Sequence, residues 1–262
     1  MGYPKMKREA KNWSRDELII VFNLYCRTPF GRMHKSNPEI SQLAENVGRT
    51  PSAVAMKMVN FASMDPSQQK RNIKGLSHAS RQDSQIWDEF NHNWENLAFE
   101  SQRAIAGFKT ERSKELIDEK TLLDSDIPTE AQKSVRVRLV QRFFRETVLS
   151  SYNFSCAICS LNLPMLLNAS HIIPWSVDKT RRADPRNGLS LCALHDRAFD
   201  RGLIGVDERF HIILSSKVKV REASKLHKVG LLEIEGQMLR LPDRFRPDPV
   251  AFTYHREKVF LQ

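Results

Sequence analysis

Cysteine is scarce in this chain: four residues, Cys26, Cys156, Cys159 and Cys192. No secretory leader is expected ahead of them, because Met1-Gly2-Tyr3-Pro4-Lys5-Met6-Lys7-Arg8 has no apolar h-region. A disulfide framework is therefore not expected. The same start lacks the Ser or Thr that a myristoylation signal needs at its sixth position, where Met6 stands. Long apolar runs are missing too, and none approaches the roughly 18 residues of a membrane span. The expectation is a cytoplasmic protein with no membrane partner. What is present is ordinary globular material, 262 residues with 40% hydrophobic and 27% charged content, enough for one large or two modest domains.

Acidic charge is also in deficit. The net charge is +10 and the isoelectric point about 9.6. The excess is uneven: residues 134–262 carry +8, residues 1–95 carry +4, and residues 96–133 carry −2. Two basic ends joined by a faintly acidic piece suit a polyanion partner, although many basic proteins bind nothing acidic. Three of the cysteines fall in one short region. Cys26 stands alone in the apolar run Leu18 to Cys26 and reads as a buried free thiol.

Residues 1–11 are basic and irregular. Ser14 and Glu17 form a capping-box spacing that opens a helix reaching about Arg27, with Pro29 and Gly31 beyond it. A second helix is expected around Ile40, Leu43, Ala44 and Val47, then Gly48, then a third started by Thr50-Pro51 with Val54, Met58 and Phe61 on one face. Helix, glycine turn, helix with a small polar cap is a helix-turn-helix layout. Such a second helix reads DNA by short side chains and cations near its start. Arg49, Ser52 and Lys57 are the candidates here, and a plain helical scaffold is the alternative. Ile86, Trp87, Phe90, Trp94 and Leu97 recur at helical spacing and predict a core-facing stripe. Residues 12–99 are thus expected to form an all-helical, helix-turn-helix-like domain. Residues 100–133 read as a linker with a short helix near Lys114–Leu123. From Ser134 a helix is expected with Val135, Leu139, Phe143, Val148 and Leu149 as its apolar stripe. Arg138, Arg142 and Arg145 on its other faces suit phosphate contact, or merely a solvated surface.

The densest chemistry lies between Cys156 and Gly202. Cys156-x2-Cys159 and Cys192-x2-His195 are two clips, each able to aim two ligands at one ion, and two clips complete a tetrahedron. Structural Zn²⁺ is the expectation; the alternative is that Cys192 is simply an apolar residue of Leu189-Ser190-Leu191-Cys192. Between the clips runs Ala169-Ser170-His171-Ile172-Ile173-Pro174-Trp175, read as a strand entering a loop. Asp184-Pro185-Arg186-Asn187-Gly188 reads as a turn, and Ala193 to Arg201 as a helix closed by Gly202. The result is a ββα unit. On its helix Asp196 and Asp200 are four apart and share a face, offering hard oxygen ligands to Mg²⁺ or Mn²⁺. His171 has the pKa range of a general base, and Asn187 can hold its imidazole.

The order Cys-x2-Cys, Ala-Ser-His-Ile, Asn-Gly-Leu-Ser-Leu-Cys, His-Asp-Arg-Ala-Phe-Asp-Arg-Gly-Leu-Ile resembles the HNH endonuclease family with its ββα-metal fold, and within it the bacterial restriction-type enzymes. The core of the resemblance spans about residues 151–206. It implies that His171 is the general base and that Asn187 orients it. It also implies that the last motif position, normally a histidine, is a metal ligand; Asp196 stands there in this chain. A further ligand one turn later falls on Asp200. Some branches place an acidic ligand just before the base, and Ser170 occupies that slot.

The expected fold is α+β: an all-helical N-terminal domain and, over 134–262, a zinc-stapled ββα-metal nuclease domain. After the motif the sequence predicts a strand over Glu208–Ser216, a hairpin over Leu231–Leu241 and a helix over Val250–Phe260. The expected function is Mg²⁺-dependent cleavage of double-stranded DNA of the restriction or defence type, for which a homodimer would fit. A non-catalytic, zinc-stapled DNA-binding or regulatory protein is the alternative.

Overall fold

Ser14 opens the first helix as its spacing with Glu17 requires. In the computed structural model, which describes residues 12–69, 80–112 and 129–262, the Ser14 N–H donates to the Glu17 carboxylate at 2.7 Å while the Glu17 N–H donates to the Ser14 hydroxyl. This capping box starts α1, Arg15–Arg27. Ten successive residues of α1 from Glu17 to Cys26 are buried, so α1 is covered on all sides and forms the axis of a helical bundle. Cys26 is a buried free thiol, and burial raises its pKa well above the usual thiol range.

Around α1 stand α2 (Pro38–Asn46), α3 (Pro51–Met64), the short α4 (Pro66–Gln69), α5 (Arg81–Phe90) and α6 (Trp94–Arg112). Asn37 and Thr50 cap α2 and α3, each followed by proline in the first turn. The stripe from Ile86 to Leu97 is buried throughout, but it belongs to two helices. The chain breaks at Asn91–Asn93, where the Asn91 N–H caps α5 on the Trp87 carbonyl. Asparagine competes for backbone hydrogen bonds and favours such breaks.

The stretch read as a linker is helical at both ends. Helix α6 continues to Arg112 because Ala98, Ser101 and Ala104 keep its inner face against the bundle. At the other end α7 already begins at Thr129. The short helix expected over Lys114–Leu123 lies outside the described residues, as does the irregular arm 1–11.

Helix α7 (Thr129–Ser151) joins two hydrophobic cores. Val140 and Phe143 pack with the N-terminal bundle, whereas Phe144, Val148 and Leu149 pack with the C-terminal elements. Arg244, fully buried, clamps the same junction by donating to the Tyr25 and Thr28 carbonyls at the end of α1 and to Ser150 of α7. The negative end of the α1 dipole suits that cation.

After α7 come β1 (Leu167–His171), β2 (Gly188–Cys192), α8 (Ala193–Asp200), β3 (Ile204–Val206), β4 (Ile212–Leu214), α9 (Lys225–Gly230) and α10 (Pro249–Lys258). Strands β1 and β2 are antiparallel, with Leu167 opposite Cys192 and His171 opposite Gly188. With α8 they make the expected ββα unit. Gly202 ends α8 at φ +68°; a Cβ there would lie 2.0 Å from the Val259 carbonyl oxygen, which crosses over it.

Two expectations for the tail are corrected. The strand over Glu208–Ser216 shrinks to Ile212–Leu214, because Asp207 and Phe210 form a turn before it. No hairpin forms over Leu231–Leu241. Leu232–Ile234 is a single 3-10 turn, and the residues after it bond to β4 instead of to each other: the Gly236 N–H donates to the Ile212 carbonyl, and the Ile212 N–H to Gln237.

Candidate active site and metal centre

The first clip lies on a knuckle after α7, and the second spans the β2–α8 junction. Cys192 is the last residue of β2 and the N-cap of α8, so His195 falls within the first turn of α8. The ligand atoms of Cys156, Cys159, Cys192 and His195 all lie within 4.8 Å of one another. The Cys159 and Cys192 sulfurs are 3.9 Å apart; two zinc–sulfur bonds of about 2.3 Å at the tetrahedral angle span about 3.8 Å. The His195 ring is set for ligation. Its Nε2 is 2.9 Å from the Gly230 carbonyl, an acceptor only, so Nε2 carries the proton and Nδ1 is left for the ion. That Nδ1 is 3.5 Å from Cys156 Sγ and 3.2 Å from Cys192 Sγ. The hydrogen bond from Cys192, and after it His195, hold the Cys156 thiol well below the usual thiol range against the opposing effect of burial. The donor set fits a tetrahedral soft ion, and no other group of three or more such ligands converges among the described residues.

The second site uses the two faces of β1. Asn168 and Ser170 point to α8, where Asn168 donates to Asp196 at 2.7 Å and Ser170 to Asp200 at 3.4 Å. His171 points the other way, to α7, and its ring stacks on Phe144 with centroids 3.8 Å apart and planes 9° apart. Gly188 makes room for that stack. A Cβ there would meet the Val148 side chain at 2.4 Å and the Phe144 ring at 2.9 Å. Between the walls lies a groove of about 570 Å³, lined by Arg145, Asn168, Ser170, His171, Trp175, Asp196 and Asp200 among others. The two carboxylates and the histidine expected to act together are thus brought to one groove.

The imidazole is held by a group that the sequence reading did not single out. His171 Nε2 lies 3.0 Å from the Arg182 carbonyl, which can only accept. Nε2 therefore carries the proton, and the neutral ring keeps its lone pair on Nδ1. Burial lowers the His171 pKa, helped by the Arg182 charge and opposed by the bond to the Arg182 carbonyl. Asp200 is raised, first by desolvation and then by the charge of Asp196.

The Asn187 side chain hydrogen-bonds to backbone and not to the imidazole. It is 1% exposed and grips the backbone of Ile173 twice, accepting from its N–H at 2.8 Å and donating to its carbonyl at 3.0 Å. A buried amide satisfies both of its ends best on a peptide group. Asn187 thereby fixes the loop that leaves His171, and the Arg182 carbonyl orients the ring. No side-chain pattern announces a backbone carbonyl eleven residues away.

The six DNA-contact candidates divide. Lys57 is 8% exposed and held by Asp83 at 2.9 Å; Arg49 pairs with Glu17 at 2.8 Å and lies over Trp13. Both are spent inside the bundle, because the buried carboxylates of Asp83 and Glu17 require them. Ser52 is exposed at the start of α3. Arg138, Arg142 and Arg145 are exposed on α7; Arg142 pairs with Glu146, and Arg145 donates to the Leu167 carbonyl at 2.8 Å in the groove wall. No helix among the described residues is long and apolar enough to cross a membrane.

Residues 156–207 match the model of a protein family described as HNH endonuclease. The matched segment holds both clips, His171, Asn187, Asp196 and Asp200, and it bears out the resemblance to the HNH endonuclease family. It covers less than half of the chain. No curated protein matches the chain.

Proposed function

From an HNH endonuclease segment at residues 156–207, we propose that the protein is a Mg²⁺- or Mn²⁺-dependent DNA endonuclease of the restriction or defence type, with Zn²⁺ as a structural ion at Cys156, Cys159, Cys192 and His195. One observation carries the reading: a histidine with its proton fixed on Nε2 and its pKa held low lines the same groove as a pair of carboxylates. A neutral imidazole with a free Nδ1 can take a proton from water as it attacks phosphorus. Asp196 and Asp200 would hold the divalent ion, with Asn168 and Ser170 fixing their carboxylates. Such an ion, when bound, neutralises charge on the phosphate and on the leaving oxygen. Two protein carboxylates suit Mg²⁺, which keeps several waters and accepts substrate oxygens. Arg145 in the groove wall would hold the phosphate next to the one being cut.

The exposed Ser52 at the start of α3 and the exposed arginines of α7 support duplex DNA as the substrate. A dimer would let two grooves cut two strands. The test is nicking of supercoiled plasmid with and without Mg²⁺, by the wild type and by His171→Ala. Loss of about 10²–10⁴-fold in rate is expected for the variant, with its zinc content unchanged. Nicking that survives the substitution would overturn the assignment of the base. A wild type that binds duplex but never cuts it would leave a zinc-stapled DNA-binding protein.

A further inference from the structure

Five consecutive residues before β1, Asn162 to Leu166, are exposed. Three of them carry large apolar side chains: Leu163 is 54% exposed, Met165 96% and Leu166 49%. They belong to a braced turn. Pro164 starts a single 3-10 turn, and the Leu166 N–H donates to the Leu163 carbonyl at 2.9 Å. The upstream stem is tied to the metal centre, where the Cys156 N–H donates to the Leu161 carbonyl at 2.8 Å. The downstream stem is β1, whose first residue, Leu167, pairs with Cys192. Both stems therefore end on residues of the Cys₃His cluster. Single exposed apolar residues need no explanation, but three held outward on one braced turn do.

The position of the turn indicates its partner. Leu166 is followed by Leu167, whose carbonyl receives the Arg145 guanidinium at 2.8 Å. Arg145 and Asn168, on either side of this point, both line the groove of the proposed nuclease site. The apolar prong thus adjoins in the chain a strand that lines the groove, with the Arg145 guanidinium bonded at its foot, on a chain of net charge +10. A cation beside an apolar tip matches the two surfaces of duplex DNA, phosphate outside and stacked bases within.

We propose that Leu163–Leu166 is a wedge that enters duplex DNA at a base step beside the phosphodiester held in the groove. This rests on the nuclease reading above for its substrate. Insertion unstacks the step and opens the backbone toward His171, while the metal cluster keeps the turn from folding back under the load.

Local unwinding provides a measurement that needs no knowledge of the recognition sequence. Full-length His171→Ala protein is bound to a singly nicked plasmid, the nick is sealed with DNA ligase, and the topoisomers are compared with those sealed without protein. A wedge shifts the linking number. The same protein carrying Leu163→Ser and Met165→Ser is expected to lose the shift and to bind duplex about tenfold more weakly. Its melting temperature and zinc content should match the parent's, since these side chains face solvent. Met165→Leu is expected to keep the shift. The wedge is overturned by a parent protein that gives no shift, or by a double variant that shifts as much as the parent. It is equally overturned if the double substitution turns a dimer into a monomer on a sizing column, which would make the turn a contact between copies. Mg²⁺-dependent nicking by the wild type is read separately, so a protein that cuts without unwinding loses the wedge alone.

Discussion

Two histidines of this chain are held alike and are suited to different work. His171 stacks on Phe144 and His255 on Phe199, each with centroids 3.8 Å apart and planes 9° apart. Each sets Nε2 against a backbone carbonyl, Arg182 at 3.0 Å and Phe199 at 3.1 Å. Burial lowers both pKa values. The difference lies in the other nitrogen's surroundings. The His171 ring lines a groove that Asp196 and Asp200 also line. His255 is 1% exposed, and its Nδ1 has no hydrogen-bond partner. A ring fixed in one tautomer becomes a candidate base only where water and a phosphate can reach it; enclosed, the same arrangement fastens α10 to the end of α8.

Both arrangements depend on the ββα unit, so the sharpest way to break the comparison is to remove the ion proposed to staple it. Cys192→Ser, or stripping the metal with a chelator, is expected to abolish the C-terminal unfolding transition. In small zinc modules the ion contributes on the order of 10 kcal/mol of folding free energy. Calorimetry with metal analysis checks this. One zinc per chain should be found in the wild type, and an unchanged melting profile after its removal would end the structural role proposed for the cluster.

Acid should separate the two rings next. The His255 pKa falls from 6.5 to about 4, chiefly by desolvation. The unfolded chain takes up this proton below about 6.5, whereas the folded chain refuses it until about 4. Stability from this group is therefore fully present above pH 6.5 and is lost as pH falls toward 4, by about 3 kcal/mol in all. His255→Gln keeps a donor for the Phe199 carbonyl and cannot titrate, so urea unfolding at pH 7.5 and pH 5 should differ less in the variant. An equal pH dependence in both proteins would show that another group carries it. His171 should instead register in turnover. Its lowered pKa keeps the proposed base neutral below the ordinary imidazole value, so the acid limb of nicking is expected below pH 6.5. Phe144→Ala opens the ring to water and should move that limb up toward 6.5. The rate at pH 6 then drops a few-fold relative to the rate at pH 8. An unmoved limb would mean that the stack does not set the proton affinity.

The parts of this site that were legible in the sequence are those written in side-chain identity at short spacing. Two C-x2 clips, a pair of aspartates one turn apart and a glycine after the helix place the cluster and α8, since three to five residues of chain fix such geometry locally. What could not be read depends on backbone and on long-range packing. The carbonyl of Arg182 has no signature, and the grip of Asn187 on Ile173 looks in sequence like an asparagine near a histidine. Helix α7 was legible as amphipathic, but not the fact that its adjacent Phe143 and Phe144 enter different cores. The break at Asn91–Asn93 leaves the 3- and 4-residue spacing intact across two helices, so periodicity alone suggests one.

The contrast between enclosed and reachable groups extends to the cations, with the smallest effects expected there. Lys57 and Arg138 both read from sequence as DNA contacts, yet Lys57 lies buried on Asp83 and Arg138 is exposed on α7. Arg138→Ala should weaken duplex binding a few-fold and lower the slope of log K against log salt by about one. Its stability should be unchanged within about 0.5 kcal/mol. Lys57→Met should do the reverse, lowering stability while leaving the salt slope alone, because it strands a buried carboxylate and removes no phosphate contact. Titrating binding by fluorescence anisotropy across a salt series, beside urea unfolding of both variants, measures the two quantities on the same proteins. A reduced salt slope for Lys57→Met would mean that the bundle opens on DNA and frees this lysine. Helix α3 would then regain the groove-reading role that its caps and turn suggest.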